Sequence, residues 1–261
     1  MKTICLHNKK IIEKTLKKNI FLHIYSIGDL DNFFWPYTIW YALEDEAGID
    51  TIAMLYIGQS QPTLLAITEK KDQMCSLLRS IYHLLPAQFY AHLSPGVESA
   101  LSNDYHLESH GDHLKMGLLN RSSVDAYECS NTCDLGTENL EEINIFYKEC
   151  YPGNWFDPRM LETNQYFGIR DGGQLVSVAG IHVYSAEYKV AALGNIATAP
   201  SHRNKGYALL VTAKTCQSLM GTVSYIGLNV KADNRFAISC YKKLGFETVA
   251  SYGEYMVKKK I

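Results

Sequence analysis

Residues 195–208 read Asn-Ile-Ala-Thr-Ala-Pro-Ser-His-Arg-Asn-Lys-Gly-Tyr-Ala. Arg203 and Lys205 offer two cations, and Gly206 lets a ligand come close to backbone N–H groups. A helical pattern begins at Gly206, so those donors fall where a helix dipole is positive. The combination favours a phosphate or pyrophosphate. Three elements in series must position it: an apolar, β-rich run over 190–199, a short basic loop after Pro200, and the helix itself. No G-x-x-x-x-G-K-[ST] pattern occurs, and the loop lacks a metal-binding hydroxyl beside its lysine, which argues against a nucleotide-phosphate enzyme.

A second constellation stands downstream. After the helical stretch 206–220 and an apolar run over 225–230, residues 233–247 read Asp-Asn-Arg-Phe-Ala-Ile-Ser-Cys-Tyr-Lys-Lys-Leu-Gly-Phe-Glu. The spacing Arg203-x-x-Gly206-x-Ala208 resembles the R/Q-x-x-G-x-G/A loop of the GNAT superfamily of N-acetyltransferases. Asn234, Ala237, Tyr241, Gly245 and Phe246 match the N-x-x-A-x-x-x-Y-x-x-x-G-F pattern that closes the same core. The resemblance covers residues 124–260. It implies a mixed-sheet α/β GNAT fold that binds acetyl-CoA as co-substrate, with an amine as acceptor.

By that resemblance, Arg203, Asn204, Lys205, Gly206, Tyr207 and Ala208 hold the pyrophosphate, and backbone groups of Ile196, Ala197 and Thr198 pair with the pantetheine arm. Gly194, Ala197 and Ala199 suit a close approach. Asn234 is expected as a helix N-cap that also meets the cofactor, and Ala237 as the small residue that leaves room for it.

Acetyl transfer needs a held donor, a deprotonated amine, oxyanion stabilisation and a proton for the departing thiolate. Tyr241 is expected to give that proton: a phenol near pKa 10 against a thiolate near 8.5 is uphill by roughly 2 kcal/mol. The competing role for Tyr241 is a core ring on a helix. Where several family members carry a glutamate in the strand before the loop, this chain has Ala192. Glu162, His182, Tyr184 and Glu254, or a water chain, remain as bases, and His182 suits a structural hydrogen bond equally well. Trp155 and Phe156, between two expected helices, either line the acceptor pocket or anchor the loop. The missing carboxylate keeps a second class open, a non-catalytic acyl-CoA-binding or regulatory module.

Patterning upstream gives a helix face at 9–18, strands at 37–43, 52–57 and 63–68, a helix at 73–85, a strand at 89–92, a short helix to 101, and β runs near 105–108 and 113–118. Downstream the same order returns, with helices at 140–150 and 158–163, strands at 165–170, 175–183 and 190–198, a helix from 206, a strand at 225–230, a helix at 235–244 and two strands within 246–257. His110-Gly111-Asp112-His113 matches Tyr252-Gly253-Glu254-Tyr255. Two GNAT-like domains are therefore expected, 1–120 and 121–261. The first is degenerate, with Thr-Glu-Lys-Lys-Asp-Gln at 68–73 in place of the glycine loop, and walls one side of the acceptor cleft. The arrangement is similar to glycine-N-acyltransferase-like proteins.

The 261 residues carry a net charge of -2, so no affinity for nucleic acid is implied. The densest basic run, at 9–18, alternates with Ile11, Ile12 and Leu16 and reads as a solvated helix face, not a membrane anchor. Seven scattered cysteines read as reduced thiols of a cytoplasmic protein. Cys129 and Cys133, and the set His106, His110 and His113, lack the ligand pattern of a metal site, so none is expected. The acceptor, taken as a primary amine of a small molecule, and the oligomeric state are not legible.

Overall fold

A computed structural model describes residues 1–260. In chain order the strands and helices are β1 (Lys2–Cys5), α1 (Lys9–Leu16), α2 (Ile24–Gly28), β2 (Thr38–Asp45), β3 (Gly48–Tyr56), β4 (Thr63–Ala66), α3 (Lys71–Ile81), β5 (Gln88–Leu93), β6 (Tyr105–Leu118), α4 (Ser122–Asp125), β7 (Cys133–Asp134), α5 (Leu140–Cys150), β8 (Phe167–Asp171), β9 (Gln174–Ser185), β10 (Val190–Thr198), α6 (Tyr207–Met220), β11 (Tyr225–Lys231), α7 (Arg235–Lys243) and β12 (Phe246–Lys259). The class is mixed α/β, as the patterning implies. β1 was not foreseen, and two expected short helices, before residue 101 and at Pro158–Thr163, are 3-10 turns.

The chain packs as two compact units. The first comprises Met1–Lys115, Lys231–Asp233 and the described residues from Thr248 on, the second Met116–Val230 and Asn234–Glu247. Packing thus divides the chain five residues earlier than 120/121 and assigns its final strand to the first unit. Each expected pair of strands, within 105–118 and within 246–257, is one strand of 14 residues. Gly111 and Gly253 read as turn signals, yet a glycine inside a strand also marks a bulge, and pattern alone does not separate the two. Gly111 has φ 97° within an unbroken β6.

In the first unit the sheet runs β1-β2-β3-β4-β5-β12-β6. Its core gathers under α3, where Met74, Leu77, Leu78 and Ile81 meet Leu55, Phe89, Ala91 and Tyr105. These apolar positions recur at helical spacing, which is why 71–81 folds as a helix against the sheet. The matched patches on β6 and β12 meet there: His113 Nε2 lies 3.5 Å from Glu254 Oε1, and its ring 5.5 Å from that of Tyr252.

In the second unit the sheet runs β11-β10-β9-β8-β7. On one face Val211, Tyr207 and Leu210 of α6 pack on Ile169, Val176, Ala179 and Ile196. Toward the other face stand Tyr147 of α5 and Met160 of the turn Pro158–Thr163, both reaching Asn195 of β10.

Candidate active site

β10 pairs in parallel with β11 from Val190 to Leu193, against Tyr225 to Leu228, and the pairing stops there. Its other edge stays bonded to β9 as far as Ala197↔Val178 and Thr198↔Ser177. Ala199 N donates to Val176 O at 2.8 Å, and Ser177 Oγ donates to Ala197 O at 3.2 Å, so residues 197 and 199 turn their polar backbone toward β9. By strand alternation Thr198 turns its backbone the other way, into the gap left by β11, while Ile196 lies in the irregular step between Gly194 and Ala197. Of the three residues expected to offer backbone groups there, Ala197 offers its carbonyl to Ser177 instead.

The gap leads to a loop with two cations, Arg203 and Lys205. Pro200–His202 forms a 3-10 turn, Asn204 has φ 63°, and Gly206 caps α6 at φ 81°. Arg203, Asn204, Lys205 and Gly206 are exposed, Tyr207 and Ala208 half-buried. No acidic residue stands in the first turn of this 14-residue helix, so its leading N–H groups and positive dipole end face outward uncompensated. A Cβ built on Gly206 would meet nothing within 4 Å, which leaves the space over those donors open. Arg203 Nε reaches Thr198 O at 3.4 Å, and Asp171 draws off His202 at 3.1 Å.

Asn234 caps α7, its Oδ1 accepting from Ala237 N at 3.1 Å. That use occupies the carbonyl and leaves the amide NH₂ as the group available to a ligand. Tyr241, on the same helix, is 8 % exposed, and its ring packs edge-on against Phe246 at 6.0 Å. Burial, then the neighbouring Cys240, Tyr151 and Cys216, push its phenol well above the usual range. A thiolate delivered beside it loses hydration as well, so desolvation raises the proton affinity of both partners. Gly245 ends this stretch at φ 91°, where a Cβ would stand 2.1 Å from Asn120 O.

The bend in β10 is clamped by side chains. Asn195, 2 % exposed and at φ 55°, receives the Tyr147 hydroxyl on its carbonyl at 2.7 Å. Its Nδ2 donates to Tyr166 Oη at 2.9 Å, and Tyr166 donates to Ile181 O at 2.8 Å. Burial lifts both phenols, so both stay neutral donors at physiological pH. Asn195 Oδ1 lies 3.3 Å from His182 Nε2. Gly194 was expected to admit the pantetheine arm. Its missing side chain is instead filled by the His182 ring, whose atoms stand 2.3–2.5 Å from where a Cβ would be. Sequence reasoning passed over Asn195, Tyr147 and Tyr166; an asparagine inside an apolar strand, the residue type that tolerates positive φ, was the available signal.

Among the proposed bases, Glu254 belongs to the first unit and accepts from Tyr90 at 2.6 Å and Tyr252 at 2.8 Å. Glu162 is exposed and lines a polar cavity with Asp134, Glu138, Lys214 and Gln217. Ala192 is fully buried between β9 and β11. Phe156 is an anchor, its ring 5.3 Å from Tyr147 and 5.7 Å from Tyr166. Trp155 is 39 % exposed and meets His182 edge-on at 6.2 Å.

The first unit shows the contrast. There β4 stays paired with β5 to its end at Ala66↔Leu93. Ser94 then closes the seam, its N donating to Ala66 O at 3.3 Å and its Oγ accepting from Thr68 N at 2.8 Å. No glycine caps α3, whose N-cap is Lys70.

Residues 135–246 match the acetyltransferase (GNAT) family. Over 147 residues the chain is 31% identical to the N-alpha-acetyltransferase RimI of Mycobacterium tuberculosis (strain H37Rv), spanning 54% of this chain and 84% of that protein. The chain belongs to the GNAT acetyltransferase family. Among solved structures, a tandem GNAT protein from the clavulanic acid biosynthesis pathway is similar with a TM-score of 0.62 at 13% identity, covering 98% of this chain and 97% of that one. A Drosophila protein gives 0.71 at 10% identity, covering 98% of each. These two share the fold. GNAT family membership makes the chain an N-acetyltransferase, which uses acetyl-CoA as co-substrate and moves an acyl group to an amine. Among the described residues, no group of three or more His, Cys, Asp or Glu is placed to share a metal ion, and no helix is long and apolar enough to cross a membrane.

Proposed function

We propose that the second unit transfers acetyl directly from acetyl-CoA to a primary amine, with Tyr241 protonating the departing CoA thiolate. The observation that carries this reading is the open edge of β10 beyond Leu193, leading without interruption to the glycine-capped start of α6. In this reading Ile196 and Thr198 pair with the pantetheine arm. The N–H groups of Gly206, Tyr207 and Ala208, with Arg203, Asn204 and Lys205, take the pyrophosphate, and Asn234 and Ala237 line the arm from α7. Tyr241, buried on α7, supplies the proton when the tetrahedral adduct collapses. The first unit is a degenerate GNAT-like half: the seam that is open beside β10 is sealed by Ser94 beside β4, and its loop offers no glycine.

The test is acetyl-CoA-dependent thiol release across a panel of primary amines, with calorimetric binding measured alongside. Wild-type turnover is expected, and Tyr241→Phe should lower kcat by about 10²–10⁴-fold with acetyl-CoA affinity unchanged. Tight binding with no acetylation across the panel would instead make the chain an acyl-CoA-binding regulatory module. A Tyr241→Phe variant with full kcat would remove the acid role and leave Tyr241 as a core ring.

A further inference from the structure

Asn195 sits at φ 55° inside β10. Its place in the ladder explains why. Partners run Gly194↔Gly180 and then Ala197↔Val178, so Asn195 and Ile196 together oppose the single residue Ala179. Two residues against one make a bulge, and a first member in the left-handed region is a position that glycine fills without steric penalty. An asparagine there adds a side chain, and the residue is 2 % exposed.

Its ties run to α5, the 158–163 turn, the residue before β8 and β9, away from β11. The Asn195 carbonyl accepts from the Tyr147 hydroxyl at 2.7 Å, and Nδ2 donates to Tyr166 Oη at 2.9 Å and lies 3.7 Å from Met160 Sδ. Oδ1 lies 3.3 Å from His182 Nε2. Tyr166 is itself fixed, donating to Ile181 O at 2.8 Å and packing over Gly180. A residue held at positive φ persists where its surroundings over-determine it, and such residues cluster at active sites. In the first unit β4 has no residue at positive φ and stays paired with β5 to its end.

The bulge stands where the open edge begins. Pairing of β10 with β11 ends at Leu193↔Leu228. With the pyrophosphate at the start of α6 and the pantetheine arm running back along β10 past Thr198, the arm reaches the closed end of the gap beside residues 194–196. The thioester is the far end of that arm, so the reacting carbonyl lies beside the bulge. We propose that Asn195 is a positioning residue for acyl transfer: tied to Tyr147 and Tyr166, it fixes the closed end of the gap and with it the thioester carbonyl, while acetyl-CoA affinity is set at the α6 loop. This rests on the transferase reading above. A misplacement of about 1 Å at the reacting atoms costs on the order of 10²-fold in rate, and the phosphate grip of Arg203 to Ala208 is left as it was.

The experiment compares wild type, Asn195→Gly, Tyr166→Phe and the double variant, with urea denaturation to show that each is folded. Glycine adopts φ 55° freely, so Asn195→Gly keeps the bend accessible and removes the side-chain ties. Tyr166→Phe keeps the asparagine and removes its acceptor, and carries the same test should Asn195→Gly not fold. Acetyl-CoA binding is followed by calorimetry, and the carbonyl of bound [1-¹³C]acetyl-CoA by isotope-edited infrared spectroscopy, which needs no acceptor. Turnover is measured on an amine that wild type acetylates. Asn195→Gly should bind acetyl-CoA within about threefold of wild type, show a broader carbonyl band moved toward that of free acetyl-CoA, and lose roughly 10–10²-fold in kcat. Tyr166→Phe should move in the same direction, and the double variant should be little slower than Asn195→Gly, since both act through one tie. A wild-type band and kcat in the folded single variants, a loss confined to acetyl-CoA affinity, or losses that multiply in the double variant overturns the proposal and leaves the transferase reading standing. Wild type that fails to bind acetyl-CoA, or binds it and acetylates no amine, overturns both.

Discussion

Replacing Gly206 by alanine separates two jobs of that glycine. At φ 81°, ψ 1° a side-chain-bearing residue costs roughly 1–2 kcal/mol. No protein atom lies within 4 Å of the new Cβ, so packing adds nothing and urea denaturation should report about that loss. Gly206→Asn should recover part of it, since asparagine tolerates this region and Asn204 already occupies it at φ 63°. Ligand binding should behave differently. Either side chain enters the open space over the first N–H groups of α6, the place assigned to the pyrophosphate, so both variants should bind acetyl-CoA and free CoA at least about tenfold more weakly, near 1.4 kcal/mol. Calorimetric titration beside urea curves measures both effects. If Gly206→Ala and Gly206→Asn lose stability yet bind acetyl-CoA as wild type does, the glycine serves conformation alone and the phosphate site lies elsewhere.

Tyr147→Phe should leave the buried Asn195 carbonyl without its donor and cost about 1–3 kcal/mol in urea denaturation, with a loss of turnover as the bend in β10 relaxes. Gly180→Ala should destabilise by about 1–3 kcal/mol, because its Cβ would stand 2.2–2.4 Å from the Tyr166 ring; wild-type stability there would show that the ring is not fixed by its bonds to Asn195 and Ile181. In the first unit Lys115 is buried, with its ammonium 5.0 Å from the Tyr25 ring and 5.2 Å from that of Tyr252. Burial, opposed by Glu254, lowers its pKa from 10.5 to about 7. Between those values the unfolded chain binds a proton that the folded chain does not, so stability rises with pH through that window. Relative to Lys115→Met, wild type should therefore lose stability as pH falls from about 10 to 7. Parallel urea midpoints across the range would refute the buried, neutral lysine.

Much of the second unit was legible because its signals are local. Pro200, Gly206 and the apolar periodicity on either side announce strand, loop and helix, and α5 and β10 fall on the expected residues. Asn234 caps α7 through Ala237 N, as an asparagine at that spacing suggests. Strand partnership was not legible. Period-2 alternation says that 246–259 is extended, yet not that most of it packs with the first unit, since pairing is chosen by contacts far apart in sequence. The surroundings of His182 were hidden for the same reason. His182 has no motif, and only the room left at Gly194 and the contact with Asn195 show where its ring lies. The sequence by itself determined the cofactor chemistry, since loop cations, glycine and helix start are neighbours in the chain. Tertiary structure decided which backbone edge stays open and how Asn195 is held at the bend of β10, because both depend on residues brought together from β9, β10, β11 and α5.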